Sequence, residues 1–449
     1  MYSTLYRAMR LLWPGGLETR RHLRQLERTQ WLSRSELEAW QWAKIQQLVR
    51  YACQHVPYYR ERYQGEGIHP EDIKSWQDFQ ALPFLTREDV NRHLDRLVAP
   101  HWQGKAQPNE TGGSTGQPMR FFVEKSFWWW NAALEFRGRG WYGVREGDKM
   151  AWVWGAQRDM PDWSWKSRLK ARLMRQRYLN AFSLSEARMQ AFAEMLVRWQ
   201  PMMFRAYASA LSLFAQYLKE RGITDIRPRL IETTAEKVTG PQRELLEEVF
   251  HCPVADCYSA RELGTIAYQC EMGGLHVCET RYLEIVANGQ VAPPGQLGEI
   301  VVTSLTQFAM PLIRYQIGDM GLYEADTCPC GRGLPVLREV VGRTHDFLVT
   351  ADDQFVHGEF FAYLFRVKPE VTRYQVHQPD REHLEVRLVC KQTVDPAWLE
   401  YVRNEIQARF GEAMHISLEV VDHIELTPAG KHRFIISEIR PDFKGTAPG

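Results

Sequence analysis

Much of what would assign this chain to a specialised class is missing from it. Its 56 lysines and arginines nearly cancel 55 aspartates and glutamates, so the chain as a whole has no field that would recruit nucleic acid or an anionic membrane. Long hydrophobic runs are missing too. The first apolar stretch, Leu5 to Trp13, is interrupted by Arg7 and Arg10; it is too short to span a bilayer and lacks the uninterrupted apolar core of a secretory signal. The expectation is a soluble cytoplasmic protein without a transmembrane segment. Tyr2 to Trp13 is then read as a helix docked on the protein, with a helix lying on a membrane surface as the alternative. There is no internal repeat and no low-complexity tract, and no Pro-rich or Gly/Ser-rich linker occurs near Asp346, so any hinge there is short rather than a tether. Cysteine is sparse and scattered, at positions 53, 252, 257, 270, 278, 328, 330 and 390, a distribution that suits reduced thiols or a metal site better than a disulfide framework.

What is present has the balance of an ordinary globular protein, with 44% hydrophobic and 25% charged residues in 449 positions. That length exceeds what one core usually organises, so a large domain with a smaller companion is expected. Helical periodicity runs from Ser33 to Tyr63, broken at Val56-Pro57-Tyr58-Tyr59. Pro83 then leads to a helix start capped by Thr86, with Glu88 and Asp89 in its first turn. Between Met150 and Ile313, β-prone runs (Ala151 to Trp154, Arg229 to Thr233, Gly298 to Thr303) alternate with helical segments (Ser185 to Trp199, Pro241 to Phe250), which predicts an α/β large domain with a helical N-terminal region. After Gly342 the pattern changes to strand Leu384 to Val389, helix Pro396 to Phe410 and strand Ile416 to Val421, a small α+β unit. The chain therefore divides into residues 1–342 and 343–449, with a short hinge near Asp346.

One loop stands out. Thr111, Gly112, Gly113, Ser114, Thr115 and Gly116 combine glycines that allow close backbone approach with hydroxyls and amides that can ring a phosphate oxygen. A flexible loop has the same composition, so by itself the run decides nothing. It contains no lysine and continues as Gln117-Pro118, which excludes the P-loop of NTPases and requires positive charge from elsewhere.

Four more motifs follow in order: Tyr258-Ser259-Ala260-Arg261-Glu262, Ile313-Arg314-Tyr315-Gln316-Ile317-Gly318-Asp319, Gly342-Arg343-Thr344-His345-Asp346, and Pro428-Ala429-Gly430-Lys431-His432-Arg433. With Pro57-Tyr58-Tyr59-Arg60 and Leu82-Pro83-Phe84-Leu85-Thr86 near the start, the series resembles the acyl-adenylate-forming superfamily. Within it the chain is most similar to the phenylacetate-CoA ligase-like branch and to CapK-like proteins of polysaccharide biosynthesis. The resemblance implies a large adenylate-forming domain, a small mobile C-terminal domain and an ATP-dependent ligase. Such an enzyme joins a small carboxylic acid to AMP and then hands the acyl group to an acceptor. Coenzyme A is the acceptor suggested by the branch; an amine, a hydroxyl or a carrier thiol is suggested by the CapK-like members. A non-catalytic nucleotide-binding scaffold is the competing class. Neither reading involves nucleic acid, and a homodimer is compatible with both.

The chemistry asks for a phosphate cradle, a divalent cation and a cationic side chain, because carboxylate attack on a phosphate brings anions together. Glu262 is a hard oxygen ligand suited to Mg²⁺, the role that the resemblance implies for it. Tyr258, beside Ser259, is read as stacking on adenine or as a core tyrosine. Ala235 and Glu236 match the segment lining the adenine side. Asp319 can accept from both ribose hydroxyls, and Arg343 can reach ribose or phosphate across the domain junction. Lys431 would bring its ammonium to the α-phosphate and carboxylate, supplying the charge that the loop lacks, and Asp346 takes the matching hinge position.

A separate signal comes from Cys270 and His276, which flank a Gly273-Gly274 turn, and from Cys328-Pro329-Cys330. Together they make a Cys₃His set suited to a closed, structural zinc site, with Cys278 as a possible substitute ligand. The aromatic residues Phe121, Phe122, Phe127 to Trp130, Trp141 and Trp152 to Trp154 are expected mainly to pack the core, with some joining Tyr207 along an acyl pocket.

Overall fold

The structure, a computed structural model, describes residues 15–111, 119–154, 165–181, 185–343, 347–350, 355–357, 359–366, 368, 370–425 and 433–439. Local sequence signals start its helices. Ser33 accepts from the Glu36 amide while Glu36 reaches back to the Ser33 amide at 2.8 Å, a capping box that opens Arg34–His55. Pro57 occupies the first helical position of Pro57–Gly65, where its missing N–H costs nothing. Thr86 caps Arg87–Arg92 through Asp89, and Ser185 caps Glu186–Trp199.

A twelve-stranded mixed sheet forms the body of the protein. One half is parallel, with Gln176–Asn180, Met150–Trp154, Met203–Ala206, Leu230–Thr234 and Val254–Ala260 lying side by side in that order. From Val254–Ala260 onward the sheet turns antiparallel, through Gly264–Gln269, Leu275–Val277, Val336–Arg343, Tyr315–Tyr323, Gly298–Ser304, Arg281–Ala287 and Gln290–Val291. The architecture is α/β, as the alternation of runs predicts.

Helices Glu186–Trp199, Ala208–Glu220 and Gly240–Phe250 close one apolar core on the parallel half, around Phe204, Phe214, Ile231 and Phe250. A second core joins the N-terminal helices to the antiparallel half, through Leu48, Tyr59, Phe121, Phe127, Ile300 and Tyr315. Phe121 and Phe127 of the aromatic block are thus core residues, whereas Trp128 is 44% exposed.

Toward the C-terminus a separate four-stranded sheet runs in the order His415–Val420, His383–Cys390, Val371–Gln378, Ile435–Ser437. Helix Pro396–Phe410 buries Trp398, Val402, Ile406 and Phe410, a 3.6-residue stripe that closes the small α+β core. Among the described residues, no helix is long and apolar enough to cross a membrane.

Candidate active site

Val254–Ala260 is where the sheet changes from parallel to antiparallel pairing, and crevices at such switch points accept ligands in open α/β sheets. This strand and the turn after it carry Tyr258, Ser259 and Glu262. The turn is tight: Gly264 has φ +68°, and an added Cβ would come within 2.6 Å of the Asn131 carbonyl oxygen. Asn131 in turn accepts from the Thr265 amide at 2.7 Å and hydroxyl at 3.0 Å, which fixes the turn against helix Lys125–Trp141.

Glu262 is buried. Its main-chain oxygen accepts from the Gln307 amide at 2.9 Å, and its carboxylate accepts from the Tyr315 hydroxyl at 3.2 Å. Burial, and next the charge of Glu262, push the Tyr315 phenol well above its ordinary value while Arg87 opposes them, so Tyr315 remains a hydrogen-bond donor. On the same strand as Tyr315, Asp319 accepts from the Tyr258 hydroxyl at 2.7 Å. Ser259 shares a 3.0 Å hydroxyl contact with Thr234.

The next residue after that strand, Ala235, has φ +70°, a left-handed conformation that costs a non-glycine residue of order 1 kcal/mol and is found disproportionately at ligand sites. Glu236 accepts from the Ser209 hydroxyl at 2.8 Å and amide at 3.3 Å, which ties it to the start of Ala208–Glu220. Arg343 is aligned with Asp319 across the antiparallel pair; its side chain lies outside what the structure describes.

The glycine-rich segment lies in sequence between the two strands of a hairpin. Strands Gln107–Glu110 and Arg120–Val123 pair antiparallel, and Thr111 closes the mouth: its amide donates to the Met119 carbonyl at 2.9 Å and its hydroxyl accepts from the Met119 amide at 2.9 Å. Gly112, Gly113, Ser114, Thr115 and Gly116 lie outside the described residues, as do Asp346 and Lys431.

Arg87, which the sequence reading did not single out, lies beside the candidate site. Its guanidinium donates to the Thr111 hydroxyl at 3.1 Å. The segment is placed by a parallel bridge between Leu85 and Tyr315, with Leu85 donating to the Arg314 carbonyl at 3.0 Å and accepting from the Gln316 amide at 2.9 Å. The one available signal is the Leu82-Pro83-Phe84-Leu85-Thr86 motif, which contributes to the family resemblance and leads into a helix start but gives the following Arg87 no role. Arg314 of the third motif serves the scaffold instead, fully buried against Glu284 at 3.0 and 3.1 Å.

Behind the site, helix Lys125–Trp141 is bolted to the sheet by buried ions. Arg139 donates to both Glu232 oxygens at 2.8 and 2.9 Å and to Glu135 at 3.0 Å. Arg205 bridges Glu135 at 2.8 Å and Glu232 at 3.0 Å, and Tyr268 donates to Glu232 at 2.7 Å. Burial pushes the Glu232 carboxyl up, but Arg139 and Arg205 more than offset it and hold the group low. Arg205 also lies over the rings of Trp152 and Trp154, and Trp154 meets Tyr207 with centroids 4.3 Å apart. A cavity of about 160 Å³ below this network is bordered by Met150 and Met203, the first residues of their strands, and so opens at the opposite end from Ala235 and Tyr258.

The Cys/His cluster does assemble. Ligand atoms of Cys270, His276, Cys328 and Cys330 all lie within 4.8 Å of one another. Cys270 and Cys328 sulfurs are 3.6 Å apart, and His276 Nε2 is 3.1 Å from Cys330 Sγ. His276 Nδ1 is 3.2 Å from the Leu334 carbonyl; donating there leaves Nε2 as the lone-pair nitrogen facing the thiols. Gly274 has to be glycine, since a Cβ would sit 2.8 Å from Cys328 Sγ. Cys278 lies elsewhere, buried beside Leu26, Ala133 and Leu134, with its sulfur 3.6 Å from Arg137.

With this geometry established, comparison with known proteins identifies the fold. The chain superposes on 2-hydroxyisobutyryl-CoA ligase in complex with 2-HIB-AMP in the postadenylation state with a TM-score of 0.72, 21% identity and 92% coverage of each chain. The fold is that of the adenylate-forming ligases. By sequence it is 24% identical to Protein CapK of Staphylococcus aureus over 417 residues, covering 88% of each. It is also 24% identical to the phenylacetate-coenzyme A ligase of Thermus thermophilus over 355 residues, covering 77% of this chain and 79% of the relative. Residues 348–438 match the family model of the CapK C-terminal domain. The chain is thus similar in fold to the adenylate-forming ligases and in sequence to CapK and to phenylacetate-coenzyme A ligases, and its residues 348–438 match the CapK C-terminal domain.

Proposed function

We propose that the protein activates a small carboxylic acid with ATP and transfers the acyl group from AMP to an acceptor, coenzyme A being the first candidate. The observation that carries this reading is the convergence, at one switch point of the sheet, of the phosphate-loop mouth at Thr111, the buried Glu262 and the Tyr258–Asp319 pair. The relatives' names support it: they are ligases that form a bond between an acid and coenzyme A.

In the first half-reaction a carboxylate oxygen attacks the α-phosphorus, the bond to the β-phosphate oxygen breaks, and pyrophosphate leaves with its electron pair. Thr111 and the loop through Gly116 hold the leaving phosphates. Glu262 would hold Mg²⁺, whose charge offsets that of the phosphates. Tyr258, Ser259, Ala235 and Glu236 frame the adenine, Asp319 takes the ribose hydroxyls, and Arg343 and Lys431 bring positive charge to the reacting groups. In the second half-reaction the acceptor thiol loses its proton, its sulfur attacks the acyl carbon, and AMP departs.

The division into residues 1–342 and 343–449, with rotation about Asp346 between half-reactions, completes the reading, as does a cytoplasmic location. A specific observation favours a second acceptor class: the C-terminal match is to CapK, and in this reading the small domain faces the acceptor, so an amine, hydroxyl or carrier thiol would replace coenzyme A. One structural zinc ion bound by Cys270, His276, Cys328 and Cys330 is part of the proposal; sulfurs 3.6 Å apart suit a tetrahedron of Zn–S bonds of about 2.3 Å.

The test is ATP–pyrophosphate exchange across a library of carboxylic acids, with Lys431→Ala as control. Acid-dependent exchange that the variant loses supports the ligase. ATP binding without exchange for any acid would favour the scaffold, and equal exchange in the variant would remove Lys431 from the mechanism.

A further inference from the structure

The whole-chain charge is close to zero, yet one stretch is strongly one-sided. From Trp163 to Ser185 there is no aspartate or glutamate, while Lys166, Arg168, Lys170, Arg172, Arg175 and Arg177 fall within it. Part of this stretch forms helix Trp165–Leu173, which connects Met150–Trp154 to Gln176–Asn180. Gln176–Asn180 is the outermost strand of the parallel half, so the helix lies at the margin of the large sheet rather than between layers.

Trp165, Leu169 and Leu173 are spaced four residues apart and therefore share one face of the helix. That face is open to solvent: the three side chains are 70%, 48% and 46% exposed. Lys170 and Arg172 beside them are exposed as well. Among the described residues, no carboxylate forms a salt bridge with Lys170, Arg172 or Arg177. Arg177 lies over the Trp199 ring at 5.2 Å, and burial, followed by the like charge of Arg172, holds its guanidinium below the ordinary arginine range. The described part of the patch thus sets the exposed cations Lys170 and Arg172 beside an exposed tryptophan and two leucines.

We propose that helix Trp165–Leu173 docks the protein on an anionic phospholipid bilayer, with Trp165, Leu169 and Leu173 entering the headgroup boundary and Lys170 and Arg172 meeting lipid phosphates. A tryptophan and leucines on one face with cations around them is the composition of helices that lie in the membrane interface. Each cation held near an anionic surface strengthens binding roughly fivefold. Nucleic acid would also attract the cations, but it gives no reward for burying two leucine side chains, whereas the acyl boundary does. The proposal is independent of the ligase reading, because none of these residues belongs to the adenylation site.

The test is co-sedimentation of the full chain with vesicles of phosphatidylcholine alone and of phosphatidylcholine with roughly one third phosphatidylglycerol. The expected result is at least about tenfold stronger binding to the anionic vesicles, weakened by added salt because the charges are solvent-facing. Lys170→Glu with Arg172→Glu, and separately Trp165→Ser with Leu169→Ser, should each lower binding about tenfold; unchanged thermal melts would establish that these surface variants remain folded. Equal sedimentation with neutral and anionic vesicles overturns the proposal, as does none with either. It also fails if both double variants bind like the unaltered chain, which would put the attachment elsewhere. Retention of an oligonucleotide by the patch, with no vesicle binding, would assign it to nucleic acid instead.

Discussion

The hydroxyl of Tyr258 donates to the carboxylate of Asp319 at 2.7 Å, linking the strand proposed to hold adenine with the strand proposed to hold ribose. The bond holds the Tyr258 ring against the carboxylate proposed to take the ribose hydroxyls. Tyr258→Phe keeps the ring and deletes only the bond, which contributes about 1 kcal/mol. KM for ATP in the exchange assay should rise about fivefold with little change in kcat, and Asp319→Ala should do worse. A normal KM in Tyr258→Phe would mean that the pair does not order the nucleotide site.

Arg87 donates to Thr111, the first residue of the loop proposed to hold phosphates. If it helps to hold the leaving pyrophosphate, Arg87→Ala should slow exchange by about tenfold or more, since a charge-assisted bond to phosphate is lost. Arg87→Lys should recover part of the rate because the charge returns without the forked geometry. Recovery to the same low level in both variants would indicate that Arg87 only braces the hairpin.

These two residues also mark how far the sequence can be read. Ser33, Thr86 and Ser185 are legible as caps because capping is settled within three or four residues. Glu262 and Asp319 can be proposed from the sequence because their motifs follow one another in a recognisable order, and the structure brings each beside a tyrosine, Tyr315 and Tyr258. Arg87 is not, because its place depends on the bridge between Leu85 and Tyr315, a contact between distant parts of the chain. Glu135 and Arg139 mislead in the opposite way. An acid and a base four apart on a helix look like a solvated surface pair, but here they are enclosed with Arg205 and Glu232, which arrive on two neighbouring strands. The alternation of strands and helices predicts an α/β domain; it does not contain the order of twelve strands.

Glu299 gives a pH prediction. Burial first, and then the charge of Asp319, raise its carboxyl from 4.5 to about 7, against a lowering hydrogen bond from Gln316. The folded protein therefore holds this proton more tightly than the unfolded chain. The associated stability is fully present below about pH 4.5 and is lost as pH rises through about 7, a change of at most about 3 kcal/mol. Glu299→Gln, which keeps a polar partner for Gln316, should gain melting temperature over the unaltered protein at pH 8 but not at pH 4. Parallel pH–melting curves would contradict the assignment.

The Cys/His cluster predicts about one equivalent of zinc in protein purified without chelator. Cys328→Ser with Cys330→Ser should lose the metal and lower the melting temperature. The loop they anchor reaches the N-terminal helices, with Gly333 donating to the Gln30 carbonyl at 3.0 Å and Arg332 lying over Trp31. Metal-free wild-type protein with the same melting temperature as the metal-loaded form would leave the cluster without a structural role.

Glu232 tests the scaffold behind the site. Two guanidiniums, Arg139 and Arg205, are balanced inside the protein by Glu232 and Glu135. Glu232→Gln preserves shape and hydrogen-bonding capacity but leaves one buried positive charge uncompensated, and breaking a buried pair in this way costs about 3–5 kcal/mol. The sign with pH is opposite to that of Glu299. The Glu232 carboxyl is held below its ordinary value, so its contribution is present above the unfolded carboxylate range and is lost only as pH falls through the depressed folded value. The melting-temperature deficit of Glu232→Gln should accordingly be full at pH 7 and persist to mildly acidic pH. Because the network fixes helix Lys125–Trp141 and, through Asn131, the turn bearing Glu262, exchange activity should fall along with stability. A stable Glu232→Gln variant with normal exchange would show that neighbouring groups reorganise to solvate the two arginines, and that the network is not what holds the turn.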